Sequence, residues 1–363
     1  MSVAAEALTT LAAAMLERLG CPPEEAREVA DHLVEADLQG HASHGVVRLP
    51  RYVDWVRRGW LIPGRPPEVV VDGAAFLVVD GGFGFGQMQG RRATEMGIAR
   101  ARRHGVALVA LRRAGHLGRI GRYAEQAVAA GLVSIHFVNV AGSRLVAPFG
   151  ARERRVSTNP LAIGIPSGDD RPFVLDFATS VVAEGKLLVA LESDRPVRED
   201  ALVDAEGRPT GDPRALYGER RHPFPDPTRG RGALRPFGEH KGSGLALACE
   251  LLAGALTGSG TNVRPRDRIH NGMLSIFVDP ARLGDGAAFL AEVRAFLDWV
   301  RAARPVDPVT GTRVPGDPER ETAARRRAHG IPLARPLGAR LAALARELGV
   351  DAELVRTTLG EAP

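Results

Sequence analysis

Residues 80–90, DGGFGFGQMQG, stand between the β-rich run AFLVVD (75–80) and the helical run QGRRATEMGIARARRHG (89–105). A strand, a glycine-rich turn and a helix, in that order, is where a doubly wound dinucleotide-binding chain carries its G-x-G-x-x-G fingerprint. Here the spacing fails. Gly84 and Gly86 require a third glycine at position 89, which is Gln89, and Gly90 comes one residue late. The segment reads as a tight turn before a helix, one that needs no ligand.

Around this turn the chain alternates. Short β-rich runs, VALVALR (106–112), LVSIHFVN (132–139), FVLDFAT (173–179) and MLSIFVD (273–279), are separated by helical stretches such as RYAEQAVAAG (122–131), which indicates an α/β core. The first 60 residues are helical: Leu8, Leu11, Met15, Leu16 and Leu19 recur at helical spacing, and PPEEAREVADHLVEADLQG opens with proline and acids and closes on Gly40. The stretch 190–237 is rich in Pro, Gly and Asp and reads as long surface loops. A helix from about 243 to 257, a strand and further helices follow. The expected division is a helical lobe over 1–70, joined by 300–363, and an α/β core over 71–299.

The composition is that of an ordinary folded protein: 363 residues, 44% hydrophobic and 25% charged. A net charge of +5 and a sequence pI near 9.8 raise the question of nucleic acid. The arginine doublets are scattered with acids between most of them, and at 5% aromatic residues there are few stacking platforms, so a dispersed solvated surface is expected and no nucleic-acid partner. A basic binding protein without catalysis remains the rival of another class. Cys21 and Cys249 have no metal-ligand spacing and make no disulfide framework, which fits a cytoplasmic protein without a metal. No signal peptide and no membrane span are expected.

Several segments concentrate chemistry. GHASHGVVRLPRY (40–52) places His41, His44, Arg48 and Arg51 just after a helix; an imidazole exchanges protons near neutrality and a guanidinium grips a carboxylate through two parallel hydrogen bonds, although a capped helix end with solvated charges needs neither. RRAGHLGRIGRYAEQ (112–126) runs a strand into His116 and a turn with Gly115, Gly118 and Gly121. Glycines there let backbone N–H groups reach a phosphate, or simply make the turn. Three of the four asparagines, Asn139, Asn159 and Asn271, sit at strand ends or turns, where fixing a loop is the common use. FVLDFATSVVAEGK brings Asp176, Thr179 and Ser180 to a strand end. Lysine occurs only twice among 48 basic residues, at Lys186 and, in GEHKGSG (238–244), at Lys241; such departures mark candidate places for a compact ammonium.

Taken together and in order, SHGVVRLPRY, GHLGRIGRYAEQ, VSTNPLAIGIP, LDFATS and HKGSGLALACELLAGALTG resemble the type 2 malate/L-lactate dehydrogenase family, nicotinamide oxidoreductases without a Rossmann fold, along nearly the whole chain. HLGRIG, VSIHFV and EHKG look most like its hydroxycarboxylate dehydrogenase branch. The resemblance implies an α/β protein with the non-Rossmann malate/L-lactate dehydrogenase-type fold, a mixed sheet core with a helical lobe from both termini. It implies a homodimer that transfers a hydride between NAD, or alternatively NADP, and C2 of a small 2-hydroxy or 2-oxo acid. Reduction of a cyclic imino acid, or oxidation of ureidoglycolate or sulfolactate, are the alternatives within the family. Carried over by position, the cofactor shell is His44, Gly118, Arg119, Ile120, the strand end Val174, Leu175, Asp176, Phe177 and Ala178, then His240, Lys241, Asn271, and the turn Gly316, Asp317, Pro318 and Glu319. Arg48 would hold the substrate carboxylate, and His44 or His116 would carry the proton. Two departures stand out: Ser243, where the family commonly has tyrosine, and a longer, more basic loop over 218–237.

Overall fold

In a computed structural model that describes residues 1–192, 194–219 and 226–360, the centre of the protein is a seven-stranded mixed sheet. Its strands lie in the order Glu68–Asp72, Phe76–Asp80, Val106–Ala114, His270–Val278, Val133–Ala141, Leu161–Ile165 and Phe173–Phe177. Only Phe76–Asp80 and Val106–Ala114 run parallel, joined by the helix Gly86–His104; every other pairing is antiparallel. The central strand comes late in the chain. His270–Val278 enters between two strands made more than 120 residues earlier and pairs with both along its length.

Alternation along the strands sorts the two faces. On one face Val109, Leu111, Val138, Met273 and Phe277 meet Ala93 and Ala101 of Gly86–His104 and Tyr123, Ala124 and Ala127 of the helix Gly121–Ala129. The other face carries the helix His240–Cys249 and its π-helical continuation Glu250–Leu256, with Gly254 pressed on Asn139. A second core joins the helices Ala5–Arg18 and Pro23–Leu38 to Ala323, Ile331, Leu341, Val355 and Leu359 near the other end of the chain, so both ends of the sequence build one helical layer.

The stretch 190–237 departs from its expected reading as surface loops. Leu202–Val203, Pro209–Thr210 and Ala233–Leu234 form a small antiparallel sheet, and Leu202, Leu216, Tyr217 and Leu234 share a third core with Leu187, Leu191 and Ala246. Its apolar residues come in pairs too short to show a period, which hid it from the sequence. Arg154 holds its last turn by donating to the carbonyls of Leu216, Pro227, Gly230 and Gly232. Residues 220–225 of the loop noted above lie outside the described residues.

The opening turn proves to be a packing element. Gly115 N–H donates to Gly84 O at 2.8 Å and Phe83 N–H to Arg113 O at 2.7 Å, so residues 81–86 lie directly on the strand end 112–116. A Cβ on Gly86 would run into the backbone carbonyls of Gly115 and His116, and one on Gly115 would reach Gly84 O at 2.6 Å. Gly86→Ala is therefore expected to cost about 1–3 kcal/mol through overpacking. Gly244→Ala, in an exposed helical position with nothing within 4 Å of the added methyl, should instead gain about 0.5–1 kcal/mol. Urea unfolding of the two variants beside the parent checks both signs.

Candidate active site

A cleft of about 1010 Å³ lies between the helical layer and the strand ends, at the upper limit of ordinary ligand pockets. One wall is residues 39–55 with Pro318, Glu319 and Thr322; the other is the 116–120 turn, the strand end 176–178 and the helix Glu184–Glu192. Ile120, Val138, Leu145, Phe177 and Phe237 give it apolar surface among the polar groups.

His44 and His116 meet inside it. Short 3₁₀ turns over Ala42–His44 and Val46–Arg48 bring His44 and Arg48 in before the helix Leu49–Arg57. These turns are fastened by Asp37, whose Oδ2 accepts Val46 N–H at 2.8 Å and which leaves no space for a side chain at residue 45. Burial pushes the Asp37 carboxyl up to about 7. His116 arrives from the end of Val106–Ala114, and the two imidazoles stack with centroids 5.6 Å apart and planes 11° from parallel. Ser43 Oγ is 2.9 Å from His44 Nδ1, and Tyr52 Oη is 2.8 Å from His116 Nδ1. Neither Nε2 has a hydrogen-bond partner among the described residues. Burial first, then the positive charge of Arg48, pulls His44 down to about 3 and His116 well below the usual imidazole range, so both rings are neutral at pH 7.

Arg48 is not idle. Its Nη2 donates to Glu184 Oε2 at 3.3 Å and its Nε to Ser43 O at 2.5 Å, while Arg51 Nη2 lies 3.6 Å from Glu184 Oε1. Tyr217 Oη donates to the same carboxylate at 2.9 Å. Burial opposes the Glu184 charge, but Arg51, Arg48 and the Tyr217 hydrogen bond outweigh it and hold the carboxyl down at about 2. Two guanidiniums thus share one carboxylate, and Lys186 stands exposed two residues along in the cleft wall. Arg51, Glu184, Tyr217, Tyr52 and Lys186 were absent from the expected site. Arg51 carried a signal in the His/Arg cluster of residues 41–51 and Lys186 in its rarity; Glu184, Tyr217 and Tyr52 carried none.

Of the expected cofactor shell, Gly118, Arg119, Ile120, Asp176, Phe177, Ala178, Asn271, Pro318 and Glu319 line the cleft with His44. Gly118, at φ +72°, lies against His32, whose Nε2 accepts Arg119 N–H at 3.0 Å. The first N–H of the helix Gly121–Ala129 is taken by Asp176 Oδ2 at 2.8 Å, and Glu319 pairs with His41 at 3.3 Å. Val174 and Leu175 lie back in the strand; Asp317 is committed to Arg301, Arg320 and Val314 N–H, and Gly316 caps its helix behind the wall. His240 and Lys241 do not line the cleft: both are exposed at the start of His240–Cys249, with His240 against Phe149. Ser243 accepts Phe149 N–H at 3.0 Å.

The asparagines turn out to be fasteners. Asn271 accepts Leu117 N–H through Oδ1 at 2.9 Å and donates to Asn139 O at 2.8 Å, which fixes the loop behind His116 to the central strand. Asn159 Nδ2 and Asn262 N–H both donate to the buried Glu250. The cleft is large enough for a dinucleotide beside a small acid, and it offers unpartnered imidazole nitrogens, cationic groups and apolar surface, a donor set that fits a nicotinamide cofactor.

The Glu184 carboxyl is held below its unfolded value near 4.5, so its contribution is fully present above that pH and is lost as the pH falls toward about 2. Chemical denaturation across that window should show Glu184→Gln with a shallower fall in stability than the parent. The difference is at most one proton, or about 1.4 kcal/mol per pH unit.

The geometry can be set beside known proteins. The family model described as malate/L-lactate dehydrogenase matches residues 3–342. Hydroxycarboxylate dehydrogenase B of Escherichia coli (strain K12) is 38% identical over 357 residues, covering 97% of this chain and 96% of that protein. L-lactate dehydrogenase of Cupriavidus necator is 38% identical over 325 residues, covering 88% and 90%. Among solved structures, sulfolactate dehydrogenase from Methanocaldococcus jannaschii superposes with a TM-score of 0.84 at 33% identity, covering 97% of this chain and 99% of that one. With its mixed sheet, a turn at 80–90 that lacks the dinucleotide fingerprint, and a match over almost its entire length, the chain belongs to the malate/L-lactate dehydrogenase family and is an oxidoreductase.

Proposed function

We propose that the cleft transfers a hydride between a nicotinamide dinucleotide, NAD or NADP, and C2 of a small 2-hydroxy or 2-oxo carboxylic acid. The observation that carries this reading is the pair of neutral, stacked imidazoles with free Nε2 atoms in a cleft that also presents Arg48 and Arg51. The names of the relatives support the substrate class: they act on hydroxycarboxylates, lactate and sulfolactate.

When bound, the nicotinamide supplies the hydride. The residues of the chain do the rest. Arg48 spends Nη2 and Nε within the protein and keeps Nη1 for the substrate carboxylate, with Arg51 alongside. That anchor fixes the carbonyl relative to the imidazoles and leaves its oxygen to His116, which gives up a proton as negative charge develops there. His44 borders the same space from the opposite wall and, with the 118–120 turn and residues 176–178, would hold the cofactor. The stacked rings and Ile120 keep water from the reacting atoms.

A panel read at the reduced-nicotinamide absorbance band tests this directly, with NADH and NADPH each offered hydroxypyruvate, glyoxylate, phenylpyruvate, oxaloacetate, pyruvate and a cyclic imino acid. Loss of absorbance with a 2-oxo acid is the expected result; turnover of the imino acid alone would replace the C=O reading by C=N reduction. A protein that binds NADH and turns over nothing in the panel would remove the substrate class. His116→Ala should lower kcat by about 10²–10⁴ with an unchanged circular dichroism spectrum.

A further inference from the structure

Behind His116 lies a short hydrogen-bonded chain that the reaction as described leaves unused. Tyr52, 1% exposed, comes from the helix Leu49–Arg57, and Gln87, fully buried, from the first turn of Gly86–His104. Gln87 Nε2 donates to Tyr52 Oη at 2.7 Å, and Tyr52 Oη lies 2.8 Å from His116 Nδ1. A phenol has one proton. With the amide N–H already pointing at the oxygen, that proton goes to Nδ1, and an Nδ1 that accepts leaves the proton of a neutral imidazole on Nε2.

The direction of the chain follows from what surrounds it. Gln87 Oε1 is buried and has no partner. Turning the amide would point Oε1 at Tyr52 and leave both N–H bonds of the NH₂ buried without a protein acceptor, and orphaned N–H groups are rarer in proteins than an under-satisfied carbonyl. The groups facing His116 act the same way: His44 stacks on it, Arg48 and Arg51 add positive charge, His32 lies behind, and no carboxylate hydrogen-bonds either of the stacked rings among the described residues. A carboxylate at Nδ1 would favour an imidazolium; a phenol that donates does not.

We propose that Tyr52 and Gln87 are positioning residues that hold His116 in the tautomer protonated on Nε2, so that it meets the substrate oxygen as a neutral donor. The inference rests on the proposed role of His116 and adds the source of its polarity. It also balances the proton transfer. As the hydride reaches C2, the carbonyl π pair moves onto oxygen, which takes the Nε2 proton. Tyr52 Oη passes its proton to Nδ1, the ring stays neutral, and the phenolate formed accepts from Gln87 Nε2. After the product leaves, a proton from water enters at Nε2 and the chain resets.

The test uses the full-length protein with ¹⁵N-labelled histidine, the His116 signals being assigned by their loss in His116→Asn. The parent should show a protonated Nε2 and a bare Nδ1. Gln87→Glu presents a carboxylate that accepts the Tyr52 proton, which reverses the chain and should move the histidine proton to Nδ1. Tyr52→Phe removes the donor to Nδ1 and should move the His116 titration to higher pH. In both, kcat for reduction should fall about ten- to hundredfold with KM little changed. Should Gln87→Glu fail to fold, Tyr52→Phe carries the test alone. A parent protonated on Nδ1, or a Tyr52→Phe protein with unchanged titration and kcat, overturns the inference. Near-normal turnover by His116→Asn would instead remove the catalytic reading while leaving the tautomer result standing.

Discussion

Backbone packed on backbone, with no side chain between, is the constraint on which the site depends. The loop 81–86 can lie on the strand end 112–116 only because Gly86 and Gly115 present bare Cα atoms to carbonyls of the other segment. Three backbone hydrogen bonds cross the seam, and the non-glycine residues Phe83 and Arg113 take left-handed backbone, φ +63° and +50°, to let it close. That conformation is costly and persists where the surroundings over-determine it. Asp80 supplies part of that determination by pairing with both Arg112 and Arg113. One seam thereby sets His116 at the floor of the cleft and Gln87 in the first turn of the neighbouring helix, and Asn271 fixes the far side of the same loop.

The electrostatics around that seam are those of a site prepared for an anion yet quiet in its absence. Arg48 and Arg51 would repel each other and any proton on the histidines; Glu184, brought from the far wall, compensates them and is itself satisfied by Tyr217. Burial, reinforced by the charge of Arg48, leaves the imidazoles uncharged within reach of these positive groups. A buried ion pair of this kind adds little to stability compared with apolar packing, and its value here is in orienting Arg48.

Much of this was legible in the sequence. The alternation of β-rich and helical runs announced an α/β core; His116 stood out because a strand-to-helix turn does not account for it, whereas His44 and Arg48 could equally belong to a capped helix end and were singled out by the family resemblance. The failed spacing at Gln89 was equally informative, since it separated this turn from a phosphate loop. What stayed hidden was non-local. Glu184 reaches Arg48 across 136 residues, and the central strand His270–Val278 pairs with neighbours that no local pattern could connect to it. The third core escaped because two-residue strands have no period. His240 and Lys241, expected in the cofactor shell, are exposed at the start of the helix His240–Cys249 and are not among the residues that line the cleft.

The near-absence of lysine has a practical side. Beyond the α-amino group of Met1, which is tied to Leu333 O at 3.1 Å, the protein offers acylating reagents two primary amines, and both are exposed. Lys186 is in the cleft wall and Lys241 outside it. A single peptide map after mild acetylation therefore compares an inside amine with an outside one in the same molecule, and the arginine-rich surface, unreactive to such reagents, contributes no background.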